Sequence, residues 1–523
     1  MNLKPKKIGI IAAILIVIII ILTLVVNKIV ENKIAAAIHN LPETFTVEYS
    51  TMSVHIWSGN LELSSLNMKI TGETTNKIIL DAQLASVVVE DISYWDYLVN
   101  NEITVDNLAL ESVIAKYLHN SVVKNKDYEK GFLSGIKQVV NIGSLEINDA
   151  DVLISDYDTN NVILNTPHLD FKLVELNINP NANTSKEKFD FKDFTLEMTH
   201  LKWATNAYEN MFVESLSIHK TNATLKGFEY KTKYSKSKYS SILTKERDHF
   251  NVTIKTMKIF DMDFGLYKEE QFYFKSKSIK LNTPNAEIYR DKLVADDISY
   301  KLLYGTSLRQ LDFDLGIDKI QIENGSISYL EKVKAVENAG RLDFTNLNAT
   351  ISKLGNNYGN ADTTIKVTST FMENSPLVVD WNFKVADTTD QFVFKADLGV
   401  LNARQMNQFT QPNLYVDLKG ELKQTYFTIS GNPNRGRIDL KVKYDDFEIA
   451  VLKKNGKEKN KFISTIVNLF VSKDSDDERR NYRYGQSENV ERDVTKSVFN
   501  FVWLNIKAAL LSAMAGDGEK DDE

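Results

Sequence analysis

The side chains of this 523-residue chain with the chemistry to act on a substrate are seven histidines and a few closely spaced carboxylates, and there is no cysteine. Without Cys there are no disulfides, thiolate metal sites, iron–sulfur clusters or Cys nucleophiles. His39, His55, His119, His168, His200, His219 and His249 are scattered, and no two have the H-E-x-x-H spacing of a metal-ligand pair. Each reads as an ordinary surface residue. Asp261 with Asp263, and Asp312 with Asp314, offer paired carboxylates, the grouping used for metal binding or acid–base work. Residues two apart on a strand share its face, and the apolar Met262 and Phe313 between them point the other way, so these acids read as a solvated outer face. Glycine-rich phosphate loops, G-x-G-x-x-G and G-x-S-x-G are all missing. No catalytic residue, metal ligand or cofactor is assigned. With a net charge of −7 the chain also lacks the concentrated positive charge that nucleic-acid binding depends on, so nucleic acid is not an expected partner.

The elements that carry these residues begin with an apolar stretch of 19 residues, opening at Ile8, closing at Val26 and broken only by Gly9 and Thr23. That length crosses a bilayer core of roughly 30 Å, which predicts a single transmembrane anchor over 1–30. Asn27, Lys28, Glu31 and Lys33 follow before the small residues at 35–37, so the stretch reads as uncleaved rather than as a signal peptide. Lys4, Lys6 and Lys7 precede it without an acid, whereas Lys28 and Lys33 are accompanied by Glu31; this bias puts the N-terminus in the cytoplasm.

From Phe45 onward the pattern alternates with period two, as in Ile438, Leu440, Val442 and Tyr444, which predicts a mainly β body over 31–472 with one apolar face. A recurrent unit has apolar residues at positions 0, +2, +7 and +9: Leu61/Leu63/Met68/Ile70, Leu145/Ile147/Val152/Ile154, Leu216/Ile218/Ala223/Leu225, Met257/Ile259/Phe264/Leu266, Ile279/Leu281/Ala286/Ile288 and Ile320/Ile322/Ile327/Tyr329. The odd offset would send the two dyads to opposite faces of a straight strand. A turn or bulge between them, at Asn148-Asp149, Asn222, Asp261, Asn282 or Asn324-Gly325, would bring them to one face. Helical periodicity is confined to the region after the anchor, to 95–99, to 402–409 and to the C-terminal end. Residues 179–186 read as a polar connection, 231–249 as a basic insertion and 453–457 as a charged turn. Residues 473–497 read as a polar linker, 498–516 as an amphipathic helix and 517–523 as an acidic tail. On that helix Phe499, Val502, Trp503, Ile506, Leu510 and Ala513 fall on one face, with Asn500, Asn505 and Ser512 away from it. The helix caps a groove, touches a membrane or partner, or packs on the sheet.

Four features in order resemble the AsmA-like family of bacterial envelope proteins, in the broad sense that includes the TamB-like members. These are the N-terminal anchor, residues 45–70 as first strands, residues 94–110 as a short helix leading into a strand, and a C-terminal part comprising residues 418–423, 431–447 and 499–514. Strand-turn-strand units such as residues 320–329 lie between. The resemblance implies an elongated curled sheet forming a groove, apolar inside, held in the bacterial inner membrane by a single pass with its body in the periplasm. It also implies a non-enzymatic role in carrying phospholipid toward the outer membrane and in envelope integrity. Leu61, Leu63, Leu145, Ile147, Ile320 and Ile322 would then line the groove, with membrane lipids as partners. Two other functions stand beside it: an assembly factor that pairs strands with an outer-membrane or other envelope protein, and a structural envelope protein. The residues alone are equally consistent with an apolar face filled by an ordinary core.

Overall fold

A computed structural model describes residues 24, 27–36, 38–39, 41, 43–72, 77–120, 138–182, 189–266, 271–452 and 482–515. The chain is mainly β, with 62% strand and 14% helix. It divides into two compact units, Met1–Thr205 with Phe212–Lys220, and Asn206–Met211 with Thr221–Glu523. The stretch from Ile8 to Val26 lies outside the described residues apart from Leu24, which is helical, and residues 27–36 continue as helix. Among the described residues no helix is long and apolar enough to cross a membrane.

In the first unit β1 (Phe45–Glu48) and β2 (Thr51–His55) both pair antiparallel with β3 (Asn60–Thr71). The ladder continues through β4 (Ile78–Glu90) to β5 (Glu102–Glu111) and β6 (Ile114–His119), which pair with different parts of β4 and both run parallel to β7 (Val139–Asp156). Strand β8 (Val162–Ile178) then joins β7 to the short β9 (Phe189–Asp190) and to β10 (Asp193–Trp203). Strand β11 (Glu209–His219) contributes residues to both units.

The second unit runs from β12 (Asn222–Thr232) through α1 (Lys236–Ile242) to β13 (His249–Leu266) and β14 (Phe272–Asp291). A connection through α2 (Tyr304–Arg309) makes β15 (Asp314–Lys332) parallel to β14. An antiparallel ladder follows: β16 (Gly340–Gly355), β17 (Asp362–Phe371), β18 (Ser375–Lys384) and β19 (Phe392–Leu398). After β20 (Leu401–Asn402), a 3-10 turn at Ala403–Met406 and α3 (Asn407–Leu414), the ladder closes with β21 (Val416–Gly431), β22 (Arg435–Val451) and β23 (Arg483–Glu491). Residues 483–491, inside the stretch read as a linker, are thus a strand. The last element is α4 (Val498–Ala515). The basic insertion holds α1, the helical signals at 95–99 and 402–409 correspond to a π-helical turn at Asp96–Asn100 and to the 3-10 turn with α3, and residues 453–457 lie outside the described residues.

The odd spacing of the apolar dyads is absorbed by one residue in the left-handed region. Ser65, Asp149, Lys220, Asp261, Thr283 and Asn324 all have φ between 50° and 55°, and each sits four residues after the start of its unit. Asp149, Asp261 and Asn324 fall at the expected polar positions, while Lys220 and Thr283 lie beside or near theirs. Ser112, Asn346 and Asp446 repeat the device in strands β5/β6, β16 and β22. A bulged residue adds one position to the strand and restores the side-chain phase. The packing confirms it: Leu63 with Met68, Leu110 with Ala115, and Ile147 with Val152 straddle three bulges, yet all belong to one apolar cluster.

A β-branched residue at such a position is penalised by contact between its side chain and the following carbonyl, by about 1–2 kcal/mol. Asn324→Val should therefore speed hydrogen exchange in β15 and β16, whereas Asn324→Gly, free of that contact, should change it less. Equal effects would mean that the conformation at 324 is not under steric control.

Candidate functional site

Cross-strand partners lie on the same face of a sheet, so the register translates the alternation of each strand into rows that run across the ladder. In the second unit one row is Ala223, Ile259, Ile279, Ile320, Ile351, Ile365, Trp381, Phe394, Ile429 and Ile438, contributed by ten strands in succession. Two residues along the strands lies a second row: Leu225, Met257, Leu281, Ile322, Ala349, Val367, Val379, Ala396, Phe427 and Leu440. Between them, on the opposite face, runs Thr224, Lys258, Lys280, Gln321, Thr350, Lys366, Asp380, Lys395, Thr428 and Asp439. Neither apolar row contains a polar side chain, and the row between them contains no apolar one.

The first unit is built the same way. Val54, Leu61, Val89, Leu108, Leu145, Leu173 and Phe194 form one row, and Met52, Leu63, Val87, Leu110, Ile147, Phe171 and Leu196 the next. The structure therefore brings Leu61 with Leu145 and Leu63 with Ile147 onto shared rows of the first unit, and puts Ile320 and Ile322 on the two rows of the second.

The rows differ in how far they are covered. Ile279, Ile320, Ile322, Ile351 and Ile365 are half-buried, as are Leu61, Leu145 and Ile147, while Leu63 is buried. Toward the C-terminal end the same row becomes fully enclosed, with Ile429 and Ile438 at 0% exposure. The cover is α4, which packs Val498, Phe501, Val502, Ala509, Ala513 and Met514 into the cluster that holds Trp381, Phe394, Ile429 and Ile438. The Phe392 and Phe501 rings meet edge-on at 6.2 Å, and Trp381 meets Phe499 in the same manner.

The packed face of α4 is a correction to the sequence-based stripe. Val502 is buried, and Ile506 and Leu510 are half-buried against the cluster, but Phe499 is 60% and Trp503 40% exposed. Asn505, placed away from the packed face, is fully enclosed, and its side-chain amide donates to the Phe501 carbonyl at 2.9 Å. Ser512, also placed away, accepts from the Gln486 amide at 3.3 Å. Close approach selects small residues here. A side chain at Gly485 would lie 2.0 Å from the Ala509 carbonyl oxygen, and one at Gly436 would lie 2.7 Å from the Asn505 side chain. A pattern judged by apolarity does not mark Asn505 and Ala509, which are buried because the helix is set down on two glycines.

A charged strap holds the segment leading into α4. Glu246, whose side chain is almost wholly enclosed, accepts from Lys292 at 2.6 Å and from Lys496 at 3.3 Å, and Lys496 also pairs with Asp296 at 3.1 Å. The Lys301 amide donates to the Val494 carbonyl at 2.8 Å, and the Arg492 guanidinium donates to the Lys301 carbonyl at 2.5 Å. Burial pushes the Glu246 carboxyl up, but the Lys292 hydrogen bond and the surrounding cations outweigh it and hold the carboxyl below its ordinary value.

The residues with chemical potential do not converge. His168 pairs with Asp149 and His219 with Glu197, each at 2.9 Å on the surface. Asp261 is a bulge residue, Asp263 accepts from the Tyr273 hydroxyl at 3.1 Å, and Asp312 is exposed. Among the described residues no group of three or more His, Asp or Glu is placed to hold a metal ion.

Fold and site together define a one-sided β protein with long apolar rows, closed by a helix at one end and half-open elsewhere in the second unit. The sequence matches no family model and no curated protein.

Gly485→Val should lift α4, raising hydrogen exchange across 498–515 and shifting Trp503 emission while the β signal in circular dichroism persists; unchanged exchange would contradict the close approach. A carboxyl held low in the fold stabilises it above the usual carboxylate range and loses that contribution as pH falls through and below it. Acidification should therefore loosen the 492–496 strap, and Glu246→Gln should abolish that pH dependence while costing roughly 3–5 kcal/mol for the broken buried pair. Limited proteolysis near Arg492 as a function of pH would show both effects.

Proposed function

We propose that this chain is an AsmA-like protein of the bacterial envelope, anchored in the inner membrane through the stretch from Ile8 to Val26, that conducts phospholipid toward the outer membrane without catalysing a reaction. One observation carries the reading: rows of apolar side chains unbroken over ten strands in the second unit and seven in the first, with Leu61, Leu145, Ile147, Ile279, Ile320, Ile322, Ile351 and Ile365 half-buried. Such a surface is costly in water, at about 25 cal/mol per Å² of apolar area. Acyl chains laid along the rows offset that cost, while head groups stay in water beside the polar margins of the sheet.

Conduction needs a flat free-energy profile more than tight binding. Each acyl CH₂ kept from water is worth about 0.8 kcal/mol, so a chain leaving a bilayer needs a comparable apolar environment at every step. A row without one polar side chain supplies it. A single carboxylate within the row raises a barrier of several kcal/mol, because a charge must be buried or the chain must detour through water.

Photocrosslinkers placed at Ile147 and Ile322 should capture phospholipid in cells, and those at Glu146 and Gln321, on the other face of the same strands, should not. Ile322→Asp should lower lipid capture along β15 by about tenfold or more, the equivalent of a barrier above 1.4 kcal/mol, with Gln321→Asp near wild type. Absence of lipid adducts at several row positions in a folded protein would overturn the reading. Crosslinks to an outer-membrane barrel subunit at the strand edges would instead favour an assembly factor.

A further inference from the structure

We infer that one end of the first unit's sheet is a membrane-interface surface, with Trp57, Trp95, Tyr97 and Val99 inserted at the head-group boundary of a lipid bilayer. The inference rests on reading the stretch from Ile8 to Val26 as a membrane span, and it goes beyond that reading by assigning a second, peripheral attachment made by the folded body.

Two connections meet at this end. The turn after β2 carries Trp57, and the connection between β4 and β5 carries Trp95, Tyr97 and Val99. They are tied together: the Ile92 amide donates to the Gly59 carbonyl at 3.0 Å, and the Asp91 backbone amide donates to the Asn60 side-chain oxygen at 3.4 Å. Gly59, at φ +68°, could not carry a side chain there, since a Cβ would lie 2.6 Å from the Ile92 nitrogen. The close approach therefore fixes the two connections beside each other.

Exposure at this end is unusual. Trp57 is 77% and Trp95 72% exposed, the highest values among the described tryptophans, and Tyr97 and Val99 are more than half exposed. Water is a poor environment for these rings, whereas the bilayer interface accepts both the apolar ring and the polar N–H or O–H, which is why Trp and Tyr concentrate there.

The position of this end relative to the apolar stretch selects the occupant. Asn27 directly follows Val26, and its side-chain oxygen accepts from the Ile56 amide at 3.0 Å, next to Trp57. The residue at which a membrane span emerges is thus hydrogen-bonded to the turn with the most exposed tryptophan. Ile29, 50% exposed, adds apolar surface on the helical residues that follow. Asp96 does not conflict with a wet interfacial zone: its carboxylate accepts from the Asn100 side chain at 2.8 Å.

The test is tryptophan quenching of the full chain reconstituted in phosphatidylcholine vesicles carrying bromines high on the acyl chains. Wild type should lose emission, and Trp57→Phe with Trp95→Phe should remove at least about half of the quenchable part, since interfacial rings sit at that depth. The remaining Trp203, Trp381 and Trp503 report the state of the rest of the fold. If the doubly substituted chain is quenched as much as wild type while it stays with the vesicles on alkaline washing, the interface surface is overturned and the anchor stands. If the chain leaves the vesicles on washing, the anchor reading falls and this proposal with it. Lipid adducts at Ile147 and Ile322 are scored separately, so neither outcome is confused with failure of the conducting rows.

Discussion

A strand whose apolar dyads are five positions apart keeps them on one face only if a single residue is taken out of the pleat, and that local requirement governs this protein. The backbone meets it with left-handed residues at Ser65, Asp149, Asp261, Thr283 and Asn324, paid in steric strain at each. Because neighbouring strands carry the device in step, as Thr283 and Asn324 do on the parallel pair β14 and β15, the register is preserved on both sides of the bulges. Ile279 with Ile320 and Ala286 with Ile327 then lie side by side in one sheet. Lose a bulge and the apolar dyad beyond it on that strand would turn to the charged face.

What the apolar face does is decided by its cover. In ordinary sandwiches a second sheet fills it. Here α4 covers the C-terminal end of the second unit, where Ile429, Ile438 and Val442 are completely enclosed, and the same rows are only half-buried at Ile320 and Ile365. The helix is seated by glycines at 436 and 485 and strapped by Glu246, Lys292 and Lys496, so the closed end is held by both close packing and buried charge. The cover is asymmetric within the second unit: α4 encloses the C-terminal end of the rows, while Ile320, Ile322 and Ile365 stay half-buried.

Much of this was legible in the sequence, and the exceptions have physical causes. Period-two alternation gave the β class, and Asp149, Asp261 and Asn324 marked bulges because Asx residues tolerate positive φ. Ser65 and Lys220 carry no such signal; tertiary pairing imposes the conformation on them. Strand β23 is hidden in a polar stretch because Arg483, Gly485 and Ser487, the partners of Val442, Leu440 and Ile438, are not apolar, with Gly485 kept bare by the close approach of α4. The same contact explains the misplaced part of the α4 face, where Asn505 and Ala509 are buried and Phe499 and Trp503 are not. Leu61, Leu63, Leu145, Ile147, Ile320 and Ile322 stand out strand by strand in the sequence; their membership of continuous rows is a property of the register.

The central claim is that the half-buried rows are occupied by acyl chains. Native mass spectrometry of the full chain, extracted in mild detergent and stripped of it in the gas phase, tests this most directly. The account requires discrete mass increments of phospholipid that persist in wild type and diminish when row positions are made acidic. A protein that emerges free of lipid, from membranes in which it is folded and abundant, would contradict it.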